Sequence, residues 1–395
     1  MVVIKRVSAK SILNSRKEKT ILVIINTNVG IFSASAPTGK STGKYEAKPY
    51  RKSLDNDIKT IKDFKEYFSE EIIERFSDLR RIEDIMDRHI GANTLFALES
   101  AVLKAMAKEQ KKEIWQLINP KAKKLPRFVG NCIGGAKHSP NKKKPDFQEF
   151  LIIPESNSAI QSFDVNNDAQ LNAQSILKNV DEKFENKKND ENAWMTSFDN
   201  KKVLEVLKDL KDNIWDSRKL YLDEGIDVAA SSFYKRKKYN YENPIFKRTK
   251  EEQFSYLSNL IKNFHLLYIE DPFDEEDFKS FAKLLKKFPD RLIVGDDLTV
   301  TNYKRLKKAI KMKSINAIIV KPNQTGSLLE VQRVCELAKE KNIKIVFSHR
   351  SGETEESILA DLGFGFQADF FKCGISGKGR ETKLRRLIEI EKSLK

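Results

Sequence analysis

Hydrophobic residues follow two different rhythms along this chain of 395 residues. In the first 124 residues, two short apolar-rich, strand-like runs are separated by a turn and followed by stretches in which apolar residues recur at helical spacing; the runs and stretches are 21–26, 29–34, 57–79, 81–90 and 93–118. Short β-branched runs bounded by turn residues are typical of strands, and apolar recurrence every three or four residues is typical of an amphipathic helix. The pattern therefore predicts an N-terminal α+β domain over residues 1–124.

From residue 125 the rhythm changes to short apolar runs that alternate with amphipathic helical stretches. The runs lie at 150–153, 266–269, 292–294, 317–320, 343–347 and 370–371. Each later run ends in polar residues and is followed by a helical pattern, which is the signature of repeated βα units. We therefore expect residues 125–395 to form an α/β domain, built as a parallel sheet or a β/α barrel.

The charge balance bears on the class of partner. The chain carries 73 lysine and arginine residues against 57 aspartate and glutamate residues, and its net charge of +16 could attract nucleic acid or a small anion. The basic clusters at 121–124, 142–144 and 235–238 lie in apparent loops without a repeated aromatic partner. Because base stacking usually needs aromatic platforms, nucleic-acid binding is the less favoured interpretation, and a lysine-rich solvated surface is favoured.

Cysteine usage and hydropathy bear on location. Cys132, Cys335 and Cys373 lie far apart and have neither the even number of a disulfide framework nor the spacing of a metal site, so we expect a reducing cytoplasm. No run approaches the roughly 18 apolar residues of a membrane span. The first residues do not have the pattern of a signal peptide.

Polar residues follow the predicted barrel strands where each strand ends, which is where β/α barrels place their working groups. They comprise three carboxylates, two lysines and one mixed cluster: Asp227, Glu270, Asp296, Lys321, Lys372 and Ser348-His349-Arg350-Ser351. Three carboxylates suit a hard cation such as Mg²⁺. A partly buried lysine near such a dication should have a lowered pKa, which would let it act as a base. Salt bridges that merely cap the barrel mouth are the alternative interpretation.

Longer motifs around these residues resemble the enolases (phosphopyruvate hydratases) of the archaeal type, over almost the whole chain. The motifs are a Ser-Thr-Gly loop at 41–43, Gly130-Asn-Cys-Ile-Gly-Gly-Ala-Lys-His138, Gln148-Glu149-Phe150, Asp227-Val-Ala-Ala-Ser-Ser-Phe-Tyr, Ile269-Glu-Asp-Pro-Phe, Val294-Gly-Asp-Asp-Leu-Thr, Lys321-Pro-Asn-Gln-Thr-Gly and Ser348-His-Arg-Ser-Gly-Glu-Thr-Glu355. The resemblance implies an enolase-type β/α barrel with an N-terminal α+β capping domain that carries a mobile active-site loop.

The same resemblance implies the reversible dehydration of 2-phospho-D-glycerate to phosphoenolpyruvate, a step of glycolysis and gluconeogenesis. Lys321 would remove the C2 proton, and Mg²⁺ together with Lys372 would stabilise the enolate. Two Mg²⁺ ions are implied, the second arriving with substrate and held in part by Ser41. The implied ligands of the first ion are Asp227, Glu270 and Asp296.

On the opposite side of the reaction, the resemblance implies that Glu191, with Glu149 close by, protonates the departing C3 hydroxyl. Arg350 and Ser351 would bind the phosphate of a small phosphorylated acid, Arg350 as a fork that matches the phosphate oxygens. The other implied substrate-binding residues are His138, Gln148, His349 and Lys372. A homodimer or higher homo-oligomer is the expected assembly.

Two departures from the family pattern keep rival interpretations open. Asn192 follows Asp190-Glu191 where the family has glycine, and Lys40 stands where the family usually has alanine. Asparagine tolerates left-handed backbone better than most residues, so we expect the turn to survive. One rival is a superfamily enzyme acting on another carboxylic acid, against which Arg350 and Ser351 argue. The other is a paralogue with weak or lost activity that acts as a binding or scaffold protein.

Overall fold

The chain folds into a sheet-and-helix domain followed by a closed barrel in the computed structural model, which describes residues 1–40, 43–64, 68 and 71–394. The first domain contains β1 (Val2–Leu13), β2 (Lys19–Thr27), β3 (Gly30–Ser35), α1 (Leu54–Asp63), β4 (Ile72–Ile73), α2 (Leu79–Met86), α3 (Ala92–Gln110) and α4 (Ile114–Ile118). Its antiparallel sheet has the order β3-β2-β1-β4. The two strands predicted at 21–26 and 29–34 are β2 and β3.

The second domain begins with β5 and ends with α12. Its elements are β5 (Arg127–Gly134), β6 (Glu149–Pro154), α5 (Ala159–Val180), β7 (Trp194–Met195), α6 (Asn200–Arg218), β8 (Leu222–Asp227), β9 (Tyr234–Lys235), β10 (Lys238–Glu242), β11 (Ile245–Arg248), α7 (Lys250–Phe264), β12 (Tyr268–Glu270), α8 (Phe278–Lys287), β13 (Leu292–Gly295), α9 (Tyr303–Lys311), β14 (Ala317–Val320), α10 (Leu328–Glu340), β15 (Lys344–Ser348), α11 (Ile358–Gly365), β16 (Phe370–Gly374) and α12 (Lys378–Ser393). Short 3₁₀ turns lie at Phe76–Asp78, Ala136–His138, Ala230–Phe233 and Pro322–Gln324. The proposed boundary at residues 124 and 125 falls between α4 and β5.

The barrel is closed by pairing of its last strand with its first. Going round the ring, the strands are β5, β6, β8, β12, β13, β14, β15 and β16, and β16 then pairs with β5. The α/β barrel expected from the apolar runs is confirmed. The expectation of parallel strands fails at β6, which runs antiparallel to both β5 and β8. Because β6 is reversed, its first residue, Glu149, lies at the same mouth as the last residue of β8, Asp227.

Side chains of the barrel strands enter two separate apolar layers, since alternate residues of a strand point to opposite faces. The inward-facing layer contains Val129, Leu151, Val294, Ile319 and Val346. The outward-facing side chains pack against the surrounding helices and join the larger core. Burial on both faces explains why the barrel strands read as continuous apolar runs rather than as alternating ones.

The first domain lies over the mouth of the barrel where the β15 and β14 loops emerge. The backbones of Thr38 and Gly352 exchange hydrogen bonds of 2.8 and 2.9 Å, and the backbone N–H of Ser15 donates to the carbonyl of Glu353 at 2.7 Å. Asn323, which follows β14, donates to the carbonyl of Pro37 at 3.1 Å. Helix α3 packs on β2 and β3 and also touches the Pro322–Gln324 turn. These contacts fix the capping domain relative to the strand ends.

The helix predicted across 57–79 is wrong in its second half. Helix α1 ends at Asp63, and Ile72 and Ile73 instead form β4, pairing with Val3 and Val2 at the sheet edge. Two β-branched residues beside an open strand edge can satisfy their backbone groups by pairing, which local helical spacing does not reveal. The predicted helix at 93–118 is interrupted at Lys111, which has left-handed backbone with φ 52°.

The basic cluster at 235–238 forms the hairpin between β9 and β10 of a three-stranded antiparallel sheet: Lys235 ends β9, Lys238 begins β10, and residues 236–237 form the turn, so the loop expected from sequence is reduced to that turn. In this sheet, Tyr239 and Tyr241 are buried, whereas Phe246 on β11 is half exposed. The buried rings are not available for base stacking, which keeps nucleic-acid binding the less favoured interpretation. Within the described part of the chain, no helix is both long and apolar enough to cross a membrane.

Asp57 gives a test of how the capping domain is held together. This buried carboxylate accepts hydrogen bonds from the N–H groups of Arg51 (3.0 Å) and Gly91 (2.8 Å) and from the Thr94 hydroxyl (2.6 Å). Removing it leaves buried donors unpaired, so we expect Asp57→Ala to lower the free energy of unfolding by about 2–4 kcal/mol in urea denaturation. Asp63→Ala, on the exposed face of the same helix, is the control and should change stability little; equal losses in both variants would contradict the role of Asp57.

Candidate active site

The polar residues predicted at the strand ends gather around one cavity at the barrel mouth. Asp227 and Glu270 end β8 and β12, Asp296 follows β13, Lys321 follows β14, and Lys372 lies within β16. The cavity is open to solvent, and the empty space between its walls, open solvent included, is about 600 Å³. Its wall includes most of the site residues predicted from sequence, namely His138, Gln148, Glu149, Glu191, Asp227, Asp296, Lys321, His349, Arg350, Ser351 and Lys372.

The Lys372 ammonium joins three carboxylates from three other strands. Its Nζ lies 2.8 Å from Glu270, 3.0 Å from Asp227 and 3.0 Å from Glu149, and all four side chains are buried. Burial alone would lower the pKa of Lys372, but the carboxylates, Asp227 first, raise it well above its ordinary value. Burial, followed by repulsion from Asp227, raises the pKa of Glu270 well above its ordinary value. Lys372 therefore carries the positive charge that allows these acids to share one site.

Lys321 is held by the segment that follows β13. Its ammonium pairs with Asp296, and its backbone N–H donates to the Thr301 hydroxyl at 2.9 Å, which in turn donates to Gln324 at 2.7 Å. The sequence predicts a lowered pKa for Lys321 beside a dication. Beside the Asp296 carboxylate alone the direction is opposite: burial lowers the pKa of Lys321, but Asp296 outweighs burial and raises it.

The acids of this mouth fit a hard dication. One Asp296 oxygen, Oδ1, is buried and receives no hydrogen bond from any residue that the structure describes. Asp271 accepts from the N–H groups of Asp296 (3.0 Å) and Asp297 (2.6 Å), so it orients this segment. Carboxylate oxygens of Asp271, Asp296 and Asp297 lie within 4.8 Å of one another. Among the three predicted ligands, only Asp296 belongs to that group, since Asp227 and Glu270 are joined to Lys372 instead. Ser41, the fourth predicted ligand, lies outside the described residues.

Glu191 and Glu149, which the sequence predicts on the proton-donating side, lie beside two histidines. Glu191 accepts from the Asn131 amide at 3.0 Å and lies 3.8 Å from His138 Nε2 and 3.9 Å from His349 Nε2. Burial would raise the pKa of Glu191, but the nearby cations, His138 first, lower it well below its ordinary value. Burial raises the pKa of Glu149 to about 8. Burial thus favours the protonated form of Glu149, whereas the nearby cations favour the ionised form of Glu191.

His138 and His349 face Glu191 in different charge states. Burial lowers the pKa of His138, but the carboxylates of Glu191 and Asp190 outweigh burial and raise it to about 9. Its Nδ1 lies 2.9 Å from Asp190 Oδ1. Burial lowers the pKa of His349 well below its ordinary value, so this imidazole is neutral. Glu191 therefore faces one charged and one neutral ring.

The turn that carries Glu191 keeps its shape despite Asn192. Asn192 adopts left-handed backbone with φ 61°, as the sequence predicts for asparagine at this position. The Asn189 side chain accepts from the N–H groups of Glu191 (2.9 Å) and Ala193 (3.0 Å), and Gln170 donates to the Asn192 carbonyl at 2.8 Å. These bonds fix the backbone on both sides of Glu191.

The phosphate-binding residues predicted from sequence, Arg350 and Ser351, follow β15. The Arg350 guanidinium contacts Glu46 of the capping domain at 3.0 to 3.2 Å and donates to Asn323 at 3.3 Å. The Ser351 hydroxyl accepts from the Lys40 N–H at 2.9 Å and from Arg16 at 3.1 Å. A buried arginine fork beside further N–H donors is the arrangement that binds phosphate oxygens.

Comparison with known proteins gives the family. Residues 4–118 match the family model for the enolase N-terminal domain, and residues 122–395 match the model for the enolase C-terminal TIM barrel domain. The chain belongs to the enolase family. Curated relatives named enolase come from Sulfurisphaera tokodaii (36% identical, covering 98% of this chain and 95% of the relative), Pyrobaculum aerophilum (34%, 94% and 91%) and Methanosphaera stadtmanae (34%, 99% and 97%).

Several residues of this enolase-family site are missed by sequence reasoning. Asn131 and Glu46 lie inside quoted or adjoining motifs, so a closer reading of those motifs could have named them. Asp190 is the neighbour of Glu191. Arg380 has no sequence signal of its own, because it sits in the first turn of α12 like any helical arginine; yet it is buried and donates to the carbonyls of Asp190 (3.1 Å) and Ser351 (2.9 Å). Arg380 thereby joins the turn that carries Glu191 to the segment that follows β15.

The charge on Lys372 can be tested through stability. Lys372→Met leaves Glu149, Asp227 and Glu270 buried without their cation, which should cost about 3–5 kcal/mol of unfolding free energy in the presence of EDTA. Because Mg²⁺ can replace part of that charge, its addition should stabilise the variant more than it stabilises the unmodified protein.

Denaturant unfolding with EDTA and with excess Mg²⁺ measures both the loss of unfolding free energy in the variant and its gain from Mg²⁺. Lys378→Met removes an exposed lysine of α12 and serves as the control. An equal gain from Mg²⁺ in Lys372→Met and in the unmodified protein would contradict the inference that Lys372 supplies the positive charge for the three carboxylates.

Proposed function

We propose that this enolase-family protein catalyses the reversible dehydration of 2-phospho-D-glycerate to phosphoenolpyruvate. The observation that carries the proposal is the position of the base and the acid around the ring. Lys321 follows β14, and Glu149 begins β6; these two strands are four apart in a closed ring of eight, and so lie opposite each other. A substrate between them would meet a lysine on one side and a buried carboxyl group on the other.

The two arcs of the ring between β14 and β6 carry groups of different charge. One arc, formed by β8, β12 and β13, carries the acids Asp227, Glu270 and Asp296. The other arc carries Lys372 on β16 and Arg350 and Ser351 after β15. Carboxylates on one arc suit a metal that holds the substrate carboxylate, and the cationic arc suits phosphate. This division supports a phosphorylated hydroxy acid as substrate over an unphosphorylated one.

In the first step, Lys321 removes the proton from C2, and its nitrogen must be neutral to do so. Its proton is held in place by Asp296, so the base becomes available when that carboxylate is otherwise engaged. A dication bound by Asp227, Glu270 and Asp296 would supply positive charge to the substrate carboxylate and draw the charge of Asp296 away from Lys321. The Lys372 ammonium adds fixed positive charge where negative charge develops.

In the second step, the C3 hydroxyl leaves as water after taking a proton. Sequence resemblance assigns the donor role to Glu191 with Glu149 nearby. Burial favours the protonated form of Glu149, and the nearby cations, His138 first, favour the ionised form of Glu191, which belongs with His138 to the same buried cluster. We therefore propose that the pair acts together rather than through Glu191 alone.

The proposal extends to cofactor, assembly and location. We propose two Mg²⁺ ions, the second arriving with substrate at Ser41, and a homodimer or higher homo-oligomer. A reducing cytoplasm is proposed because Cys132, Cys335 and Cys373 are all free and buried.

Turnover can be followed through the ultraviolet absorbance of phosphoenolpyruvate. With excess Mg²⁺ the protein should form phosphoenolpyruvate from 2-phospho-D-glycerate, and EDTA should abolish the reaction because Lys321 and the acids alone lack the required positive charge. 3-Phospho-D-glycerate, with its phosphate on the neighbouring carbon, is the control substrate and should give no signal. Lack of turnover by folded, Mg²⁺-saturated protein would sink the proposal and leave the binding or scaffold alternative.

Lys321 can be separated from substrate binding by isotope exchange. Lys321→Ala should lose exchange of the C2 hydrogen with D₂O by at least about 100-fold, since general-base catalysis contributes roughly 10²–10⁴. Substrate binding, measured by titration calorimetry, should persist because Arg350 and Ser351 remain. Lys344→Ala, at the far end of the neighbouring strand β15, is the matched control. Undiminished exchange in Lys321→Ala would show that another group is the base.

A further inference from the structure

Lys40 connects the capping domain to the acid side of the site. Its backbone N–H donates to Ser351 on the phosphate side, while its ammonium turns the other way and bonds to Asp190 Oδ2 at 3.0 Å. The side chain is one-third exposed, at 33%, and so it is not held there by burial in a core. Backbone and side chain of the same residue therefore contact two segments, the one that follows β15 and the turn that carries Glu191.

Asp190 links Lys40 to the His138 imidazole, which lies beside Glu191. One carboxylate oxygen, Oδ2, takes the Lys40 ammonium, and the other, Oδ1, lies 2.9 Å from His138 Nδ1. With Nδ1 fixed, His138 presents Nε2 to Glu191 at 3.8 Å. The Asp190 carboxylate is ionised, because His138 and Lys40 together outweigh burial and lower its pKa. An ionised carboxylate bonded at both oxygens has a fixed plane.

The neighbouring cations do not replace Lys40 in this arrangement. Arg16 Nε lies 3.9 Å from Asp190 Oδ2, beyond hydrogen-bond distance, and the guanidinium is bonded to Glu18 and Ser351 instead. Arg380 bonds to the Asp190 carbonyl, not to its carboxylate. Without the Lys40 ammonium, Oδ2 would lose its 3.0 Å partner, and the carboxylate could rotate away from His138.

We propose that Lys40 is a positioning residue for proton delivery: its ammonium fixes Asp190, and Asp190 fixes the His138 imidazole against Glu191. The inference rests on the proposed dehydration and deepens it, since it concerns the second step alone. The base side, Lys321 with Asp296, has no described contact with this series of groups. Lys40 should therefore affect loss of the C3 hydroxyl and not removal of the C2 proton.

The test compares two rates in the full-length, Mg²⁺-saturated protein. Lys40→Met should lower phosphoenolpyruvate formation about 10-fold, a fraction of what a general acid contributes. Exchange of the C2 hydrogen with D₂O and the KM for 2-phospho-D-glycerate should both remain close to those of the unmodified protein. Lys40→Arg, which keeps a cation of similar reach, should recover most of the lost rate. Lys44→Met removes a lysine four residues along the same segment, whose ammonium lies over Tyr45, and is the matched control.

A double-mutant cycle distinguishes positioning through Asp190 from a direct contact with substrate. In an Asp190→Asn background, Lys40→Met should have no further effect, because the carboxylate that it fixes is gone. If Lys40→Met instead raised KM, or lowered exchange and product formation equally, Lys40 would be a substrate-binding residue and the proposal would be wrong. An unchanged rate of product formation would overturn it as well.

A measurement without turnover keeps this inference separate from the proposed function. Failure of the unmodified protein to form product contradicts the dehydration, whatever Lys40 does. The chain has four histidines, so the imidazole nitrogen resonances of His138 can be assigned by substitution and followed by NMR. Lys40→Met should shift them and Lys44→Met should not; identical spectra for both variants would refute the link from Lys40 to His138.

Discussion

The ammonium of Lys372 lies among the carboxylates of Glu149, Asp227 and Glu270, and the architecture of the barrel mouth depends on that contact. Bringing several carboxylates out of water into one small volume is strongly unfavourable unless a cation lies between them. The bonded residues come from β6, β8, β12 and β16, so the contact also ties together strands from both sides of the point where the barrel closes. Around it, further ion pairs join different elements: Lys321 with Asp296, Arg350 with Glu46, and Asp190 with His138 and Lys40.

Much of the fold can be predicted from the sequence because barrel strands carry a strong local signal. Runs such as 317–320 are apolar on both faces and sit between helices, so their pattern survives whatever surrounds them. The reversed direction of β6 has no such local signal, since an antiparallel strand buried on both faces has the same composition as a parallel one. The pairing of Ile72–Ile73 with β1 depends on residues some 70 positions earlier in the chain, which no window of local sequence contains.

The same distinction between local sequence signals and long-range contacts applies to the residues of the site. Asp227, Glu270 and Lys321 can be predicted because they interrupt apolar runs at the ends of parallel strands, where a charged residue has no structural explanation of its own. Glu149 stands at the start of a strand, so a search of carboxyl ends alone would miss it, and the motif around it supplies the signal. Arg380 and Asp190 act through the partners they meet in space. Their surroundings in sequence are ordinary, and only the folded chain shows that they hold Glu191 and Ser351 in place.

The opposition of β14 and β6 also has a stereochemical consequence. In the proposed reaction, a substrate held between the acids of one arc and the cations of the other could not flip, so the same face would always be directed toward Lys321. The hydrogen would leave from the face toward Lys321, and the hydroxyl would leave from the face toward Glu149, which makes the elimination anti. The mirror-image substrate, clamped by the same carboxylate and phosphate contacts, would point its C2 hydrogen away from the lysine. In the proposed reaction, chirality at C2 would then be discriminated by the side of the cavity on which Lys321 lies.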